Sequence, residues 1–181
     1  NTEIIILGNP PYKGFSERSV EQQKDMKIYW GESSKLDYVS IWFSKASKFI
    51  KERNAKFSFL STNSINQGEQ VSLLWPHIFN LGLEIFFSYS SFLWTNNARD
   101  KAAVMCTIIG IRNISKSKKI IYKDGIERNV KSIGPYLTQG KNTIVFKRTK
   151  PLSNLPIMSL GDMAKDNSHL VLSEDEKNSL L

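Results

Sequence analysis

The tetrapeptide Asn9-Pro10-Pro11-Tyr12 follows a short apolar run, and its residue types suit the binding of an amino group. The exocyclic nitrogen of adenine is a poor nucleophile, because its lone pair is delocalised into the ring. The Asn9 side-chain oxygen and the Pro10 carbonyl can accept hydrogen bonds from its two N–H groups and so favour a reactive geometry. The two prolines fix φ and donate no N–H, so they hold that carbonyl in place. Tyr12 then offers a flat face on which an extruded base can stack.

An ordinary turn at the end of a strand is the alternative interpretation of these four residues, since Asn and Pro are frequent in turns. Residues 8–12 also resemble motif IV of the S-adenosylmethionine-dependent amino-methyltransferases, which act on adenine N6, cytosine N4 or a glutamine amide. Motif IV alone does not choose among these substrates.

Further stretches are similar to the methyltransferase region of the MmeI-type (type IIL) single-chain restriction-modification enzymes, and together they span essentially the whole chain. They are residues 36–39, 57–70, 74–76, 94–95, 98–99, 101–104, 135–137 and 172–177. The resemblance implies a site-specific DNA adenine-N6 methyltransferase that acts on double-stranded DNA, with S-adenosyl-L-methionine as methyl donor. It gives the catalytic role to Asn9, Pro10, Pro11 and Tyr12, and it places Asn9 at the rim of the cofactor site.

The extruded base needs a second aromatic face, and Phe92 and Trp94 are the candidates. They precede the predicted strand 102–111, where related methyltransferases carry a base-stacking aromatic at the start of motif VIII. Phe92 could instead belong to the core with the aromatic residues just before it. Trp94 is flanked by polar residues that indicate a loop, and loops carry function more often than they carry core.

The formal net charge of +8 favours a polyanionic partner, although a basic balance can also mean only a solvated surface. Arg99, Lys101, Lys118 and Lys119 are candidates for contacts with DNA phosphates, which supply affinity without sequence information. With one cysteine and two histidines in the chain we predict no metal site, and we expect Cys106 to be a small buried hydrophobe. The lack of a long apolar stretch and of a signal-peptide pattern predicts a cytoplasmic protein.

The hydrophobic pattern predicts an α/β fold. Strands are expected at residues 3–8, 57–60, 83–89 and 102–111, with the first one buried, and helices at 17–29, at 36–51 and after residue 63. This order points to a parallel sheet, and the short polar link before the last strand allows antiparallel pairing. The predicted architecture is the C-terminal half of a Rossmann-like class I methyltransferase sheet, with parallel strands and a reversed final strand, followed by a small, partly β, basic extension.

Polar residues 61–64 follow the second strand and could line a ligand site, because parallel sheets bind ligands at the carboxyl ends of their strands. Helix capping is the alternative for Ser64, and it also accounts for Asp37 early in its predicted helix.

The sequence becomes more basic after residue 112, and we predict three segments. They are the second half of a methyltransferase domain (motifs IV to VIII) at 1–112, a basic connecting segment at 113–133 and the start of a target-recognition domain at 134–181. The ten glycines include no G-x-G, so the glycine-rich cofactor-binding turn of this fold has no match. We therefore expect a fragment that lacks the N-terminal half of its parent protein and is inactive alone. A non-catalytic DNA-recognition or specificity module with a degenerate methyltransferase fold is the alternative.

Overall fold

The computed structural model describes residues 2–31, 35–94, 104–150, 153 and 173–180. The chain divides into two compact units, Asn1–Lys147 and Arg148–Leu181. The first unit is built on a six-stranded sheet in the order β1-β2-β4-β3-β5-β6. Its strands are β1 (Ile4–Gly8), β2 (Ala55–Thr62), β3 (Leu83–Trp94), β4 (Val104–Asn113), β5 (Lys119–Lys123) and β6 (Ile126–Val130).

The sheet is mixed, as predicted. β1 pairs in parallel with β2, and β3 pairs in parallel with β5. β4 lies between β2 and β3 and runs antiparallel to both, so it is the reversed strand. The hairpin of β5 and β6 comes from the segment predicted as a basic connection, and it continues the same sheet. The fold class expected from the sequence is confirmed.

Helices α1 (Val20–Trp30), α2 (Ser40–Ile50) and α3 (Gly68–Phe79) connect the first three strands. A capping box formed by Ser19 and Gln22 starts α1. α2 was expected from residue 36, but it begins at Ser40, because residues 37–39 bond to other segments. No helix in the described parts of the chain has the length and apolar character that crossing a bilayer requires.

One face of β2 packs against these helices and forms the core. Alternate residues of β2 are buried, among them Phe57 and Phe59, whose rings contact Phe43 of α2 edge-on at centroid distances of 5.8 and 5.4 Å. Trp75 of α3 is fully buried and donates its indole N–H to the Ile65 carbonyl at 2.7 Å. Close packing of this kind fixes the helices on the sheet, so the loops at the strand ends start from rigid positions.

The prediction that the first strand is buried was wrong. Ile4, Ile5 and Leu7 are 44%, 53% and 73% exposed. β1 is an edge strand of the described sheet, with β2 as its one paired neighbour. Ile6 alone among the isoleucines of β1 packs partly against the core. An apolar run in the sequence predicts a buried strand. The exposure of that strand in the fold depends on how many layers and strands surround it.

The second unit is described over a few residues. It contains the helix α4 (Glu174–Leu180), which follows Ser173.

Candidate active site

The tetrapeptide begins where β1 ends. Because β1, β2 and β3 run in the same direction, their carboxyl ends share one edge of the sheet, and Asn9 lies at that edge. Asn9 and Pro11 are exposed and Pro10 is buried, whereas Tyr12 is half-buried and packs against the core. Ligands of parallel sheets bind at this edge. The buried proline and the packed tyrosine thus hold an asparagine that faces solvent.

The Tyr12 hydroxyl contacts the Asn9 side chain directly. It donates a hydrogen bond to Asn9 Oδ1 at 2.5 Å. Burial, followed by the nearby Cys106 thiol, raises the pKa of Tyr12 to about 12, so the phenol keeps its proton at neutral pH and remains a donor. A carboxamide oxygen has two lone pairs, so Asn9 Oδ1 can still accept a hydrogen bond from a ligand. Cys106 is fully buried, as predicted, and burial raises the pKa of its thiol.

Backbone hydrogen bonds fix the loop that continues from the tetrapeptide. The Tyr38 N–H donates to the Lys13 carbonyl at 2.9 Å, and the Val39 N–H donates to the Tyr12 carbonyl at 3.3 Å. These two amides belong to the segment just before α2. The position of Tyr12 therefore depends on residues 37–39.

A polar cluster forms around the Asp37 carboxylate, which is buried. Ser64 Oγ donates to Asp37 Oδ2 at 2.6 Å, and Gln70 Nε2 donates to Asp37 Oδ1 at 3.2 Å. The Asp37 N–H in turn donates to Gln70 Oε1 at 3.1 Å. Ser64 does not cap α3, which starts after Gln67 without a side-chain cap. The capping interpretation of Ser64 was therefore wrong, because its hydroxyl bonds to Asp37 instead.

This cluster was not predicted from the sequence. Its members lie 27 and 33 residues apart, so no local pattern connects them. The usable signal was the set of polar residues at the end of β2, which the parallel-sheet rule places at the same edge as Asn9.

Phe92 and Trp94 both lie in β3. Phe92 is half-buried and contacts Tyr89 edge-on at 5.4 Å, and its ring centroid lies 6.3 Å from that of Trp94. Trp94 is 44% exposed and ends the strand rather than lying in a loop. In the strand register Phe92 is opposite Cys106, the residue whose thiol is near the Tyr12 hydroxyl. Phe92, in β3, and Tyr12 are therefore both neighbours of Cys106, in β4.

The four residues predicted to contact DNA lie in different environments. Arg99 and Lys101 lie outside the described residues. Lys118 is exposed. Lys119 is only 8% exposed, and its Nζ lies 3.1 Å from Glu84 Oε2, so its charge is paired inside the protein and it is not a surface contact for phosphate.

Among the described residues, no group of three or more His, Cys, Asp or Glu is arranged to hold a metal ion.

Comparison with known proteins identifies the family. The family described as MmeI, DNA-methyltransferase domain, matches residues 1–123, and the one described as MmeI, target recognition domain, matches residues 139–181. The chain belongs to the MmeI family of DNA methyltransferases. Among individual relatives, DNA methyltransferase A of Bacillus subtilis (strain 168) is 42% identical over 178 residues, which are 96% of this chain and 20% of that protein.

A solved structure supports the same family. The type IIL restriction-modification enzyme MmeI in complex with DNA matches with a TM-score of 0.86 and 39% identity, over 98% of this chain and 25% of that chain. The chain thus spans a fifth to a quarter of the length of these MmeI-family relatives. The family resemblance predicted from the tetrapeptide and the later stretches is confirmed.

Proposed function

We propose that this chain is the part of a restriction-modification enzyme that holds the target adenine of double-stranded DNA during methylation at N6. The observation that carries the proposal is the exposed Asn9 side chain at the carboxyl edge of the sheet, with its oxygen bonded to Tyr12. Membership of a DNA methyltransferase family supports methyl transfer over a non-catalytic recognition module. We place this activity in the cytoplasm, where the DNA substrate is found.

The proposed chemistry requires two hydrogen-bond acceptors. Asn9 Oδ1 and the Pro10 carbonyl accept the two N–H groups of the adenine amine, which turns its nitrogen lone pair toward the methyl donor. Pro10 is buried, so its carbonyl is held in a packed site. The nitrogen becomes acidic once it is methylated, and solvent at the exposed Asn9 accepts the proton. No general base has to be positioned for this step.

Stacking holds the extruded base. The half-buried Tyr12 offers one ring face, and Trp94 or Phe92 supplies the other, which offsets part of the cost of a few kcal/mol for extruding a base from the duplex. The exposed Lys118 is the described candidate for a phosphate contact.

S-Adenosyl-L-methionine fits this site as the methyl donor, because the exposed Asn9 lies at the edge of the sheet where parallel strands bind cofactors. When bound, it would supply an electrophilic sulfonium methyl group, and the bond electrons would stay on the sulfur of the neutral thioether that leaves. Asn9 contributes the rim of the cofactor site. We further propose that the main cofactor-binding motif belongs to the N-terminal half of the parent protein, outside these 181 residues.

Replacement of Asn9 in the full-length protein tests the proposal. Asn9→Ala removes one acceptor for the amine, so we expect methylation to fall by about 100-fold, as when one preorganised contact to a reacting group is removed. DNA binding should stay nearly intact, because phosphate contacts dominate affinity. Asn54→Ala, at an exposed asparagine just before β2, is the matched control. Methylation by Asn9→Ala at a rate close to that of Asn54→Ala would contradict the assignment.

A further inference from the structure

We infer that Asp37 is a positioning residue for methyl transfer, whose hydrogen-bond cluster sets the place of Tyr12 and, through Tyr12, of Asn9. The inference rests on the proposed function of the tetrapeptide. It assigns a role to a residue that does not itself contact the base.

The Asp37 carboxylate bonds to two separate segments and lies close to a third. It accepts hydrogen bonds from Ser64, in the turn after β2, and from Gln70, in the first turn of α3. The third segment is the loop after the tetrapeptide, because a Cβ atom added to Gly14 would lie 4.0 Å from Asp37 Oδ1. A carboxylate that is only 9% exposed needs such partners, since an unsatisfied buried charge is costly.

The backbone carries this arrangement to the tetrapeptide. The two residues after Asp37 donate their amides to the Lys13 and Tyr12 carbonyls. Tyr12 then bonds to Asn9 Oδ1 through its hydroxyl. A shift of residues 37–39 would therefore move Tyr12 and the acceptor that the amine needs. Misplacement by about 1 Å can cost about 100-fold in rate, so small shifts matter here.

Two substitutions separate hydrogen bonding from charge. In Asp37→Asn, the amide oxygen can accept from Gln70 and the NH2 group can donate to Ser64 Oγ. Ser64 can then direct its own hydrogen to Thr62 Oγ1, which lies 2.8 Å away. The cluster is thus preserved without the charge. Asp37→Ala leaves Ser64 and Gln70 without this acceptor.

Asn113→Ala provides the matched control. Asn113 is another side-chain hub: its Nδ2 donates to the Ile50 and Arg53 carbonyls at 2.8 and 2.9 Å. It ends β4, at the edge of the sheet opposite Asn9. Its loss should lower stability without touching the tetrapeptide loop.

The experiment measures kcat, KM for DNA and thermal stability in the full-length protein. We expect Asp37→Ala to lower kcat by about 10- to 100-fold, with KM for DNA changed less than about threefold. Asp37→Asn should restore kcat to within about threefold of wild type, and Asn113→Ala should lose stability but keep kcat. Hydrogen exchange at the Tyr38 and Val39 amides should accelerate in Asp37→Ala but not in Asp37→Asn or Asn113→Ala. Gln70→Ala, which removes one of the two donors, is the second variant if Asp37→Ala does not fold, and it should lower kcat in the same direction.

Unchanged kcat in Asp37→Ala, or in Gln70→Ala if that variant is used, would show a purely structural role and overturn the inference. The same conclusion would follow if Asn113→Ala lowered kcat equally. These results differ from a failure of the proposed function, in which Asn9→Ala itself would keep methylation.

Discussion

At the scale of single residues, the hydrogen bond from the Tyr12 hydroxyl fixes which way the Asn9 amide faces. A carboxamide can rotate and exchange its oxygen and nitrogen positions at little cost. A protonated phenol beside the oxygen favours one orientation, since the NH2 group would face a donor hydrogen. In the proposed function Tyr12 therefore has two roles, because it stacks on the extruded base and it fixes the orientation of the acceptor Asn9 Oδ1.

The raised pKa of Tyr12 leads to a prediction about stability at high pH. Its folded pKa of about 12 lies above the ordinary value of 10.0. The stability that protonated Tyr12 contributes is therefore complete below pH 10 and is lost as the pH rises to about 12. Tyr12→Phe lacks this dependence. Denaturant unfolding of both proteins across that range should show the wild type losing more stability than Tyr12→Phe, and parallel losses would exclude a perturbed Tyr12.

The two candidate aromatics should separate by experiment. Trp94 is 44% exposed at the end of β3, so Trp94→Ala should cost about 1–3 kcal/mol of flipped-base stability with little loss of fold stability. Phe92→Ala, which removes the edge-on contact with Tyr89, should also lower the melting temperature. Fluorescence of a base analogue at the target position reports flipping, and thermal unfolding reports the fold. A sharp drop in melting for Trp94→Ala with unchanged fluorescence would identify Phe92 as the better stacking candidate.

At the scale of elements, the close approach of β4 to β3 depends on Gly110. A Cβ atom at this position would lie 2.9 Å from Phe86 Cε1 and 3.0 Å from Phe87 Cβ. Both residues belong to β3, where the register shifts between residues 85 and 87. The small residue therefore lets two bulky aromatics of the bulged strand pack over β4.

Gly110→Ala should overpack this strand pair and lower the free energy of unfolding by about 1–3 kcal/mol. Gly14→Ala is the matched control, because its Cβ would have 4.0 Å to the nearest atom and its φ of −61° suits any residue. Urea unfolding measures both. Equal stability of the two variants would mean that Phe86 and Phe87 move aside without cost.

The strands and helices were more predictable from the sequence than the burial and the contacts of their residues. Helical spacing and apolar runs predicted the first four strands and three helices, because periodicity reports the local conformation. The exposure of β1 and the pairing of Lys119 with Glu84 were not predictable in this way, since both depend on neighbours distant in the chain. The tetrapeptide was recognised from residue types alone, whereas the Asp37 cluster required the contact of segments that only the fold brings together.

At the scale of the whole molecule, the chain corresponds to a fifth of DNA methyltransferase A and a quarter of the MmeI structure. We therefore expect the isolated 181 residues to bind S-adenosylmethionine weakly or not at all, and to transfer no methyl group. Calorimetry with S-adenosylmethionine and a methylation assay on adenine-containing duplex measure this. Micromolar binding with turnover would show that the main cofactor motif lies within the chain.

Residues 133–137 precede the match to the recognition domain and contribute side chains to the core of the first unit. Ile133 and Leu137 are 3% and 7% exposed and belong to the core, and Asn66 Nδ2 donates to the Pro135 carbonyl at 2.7 Å. The match to the recognition domain starts at residue 139. A chimera that exchanges recognition domains between relatives should therefore be spliced after residue 137. A splice at residue 132 would replace Ile133 and Leu137, which pack in the core of the first unit, with residues of the donor protein that do not match this core.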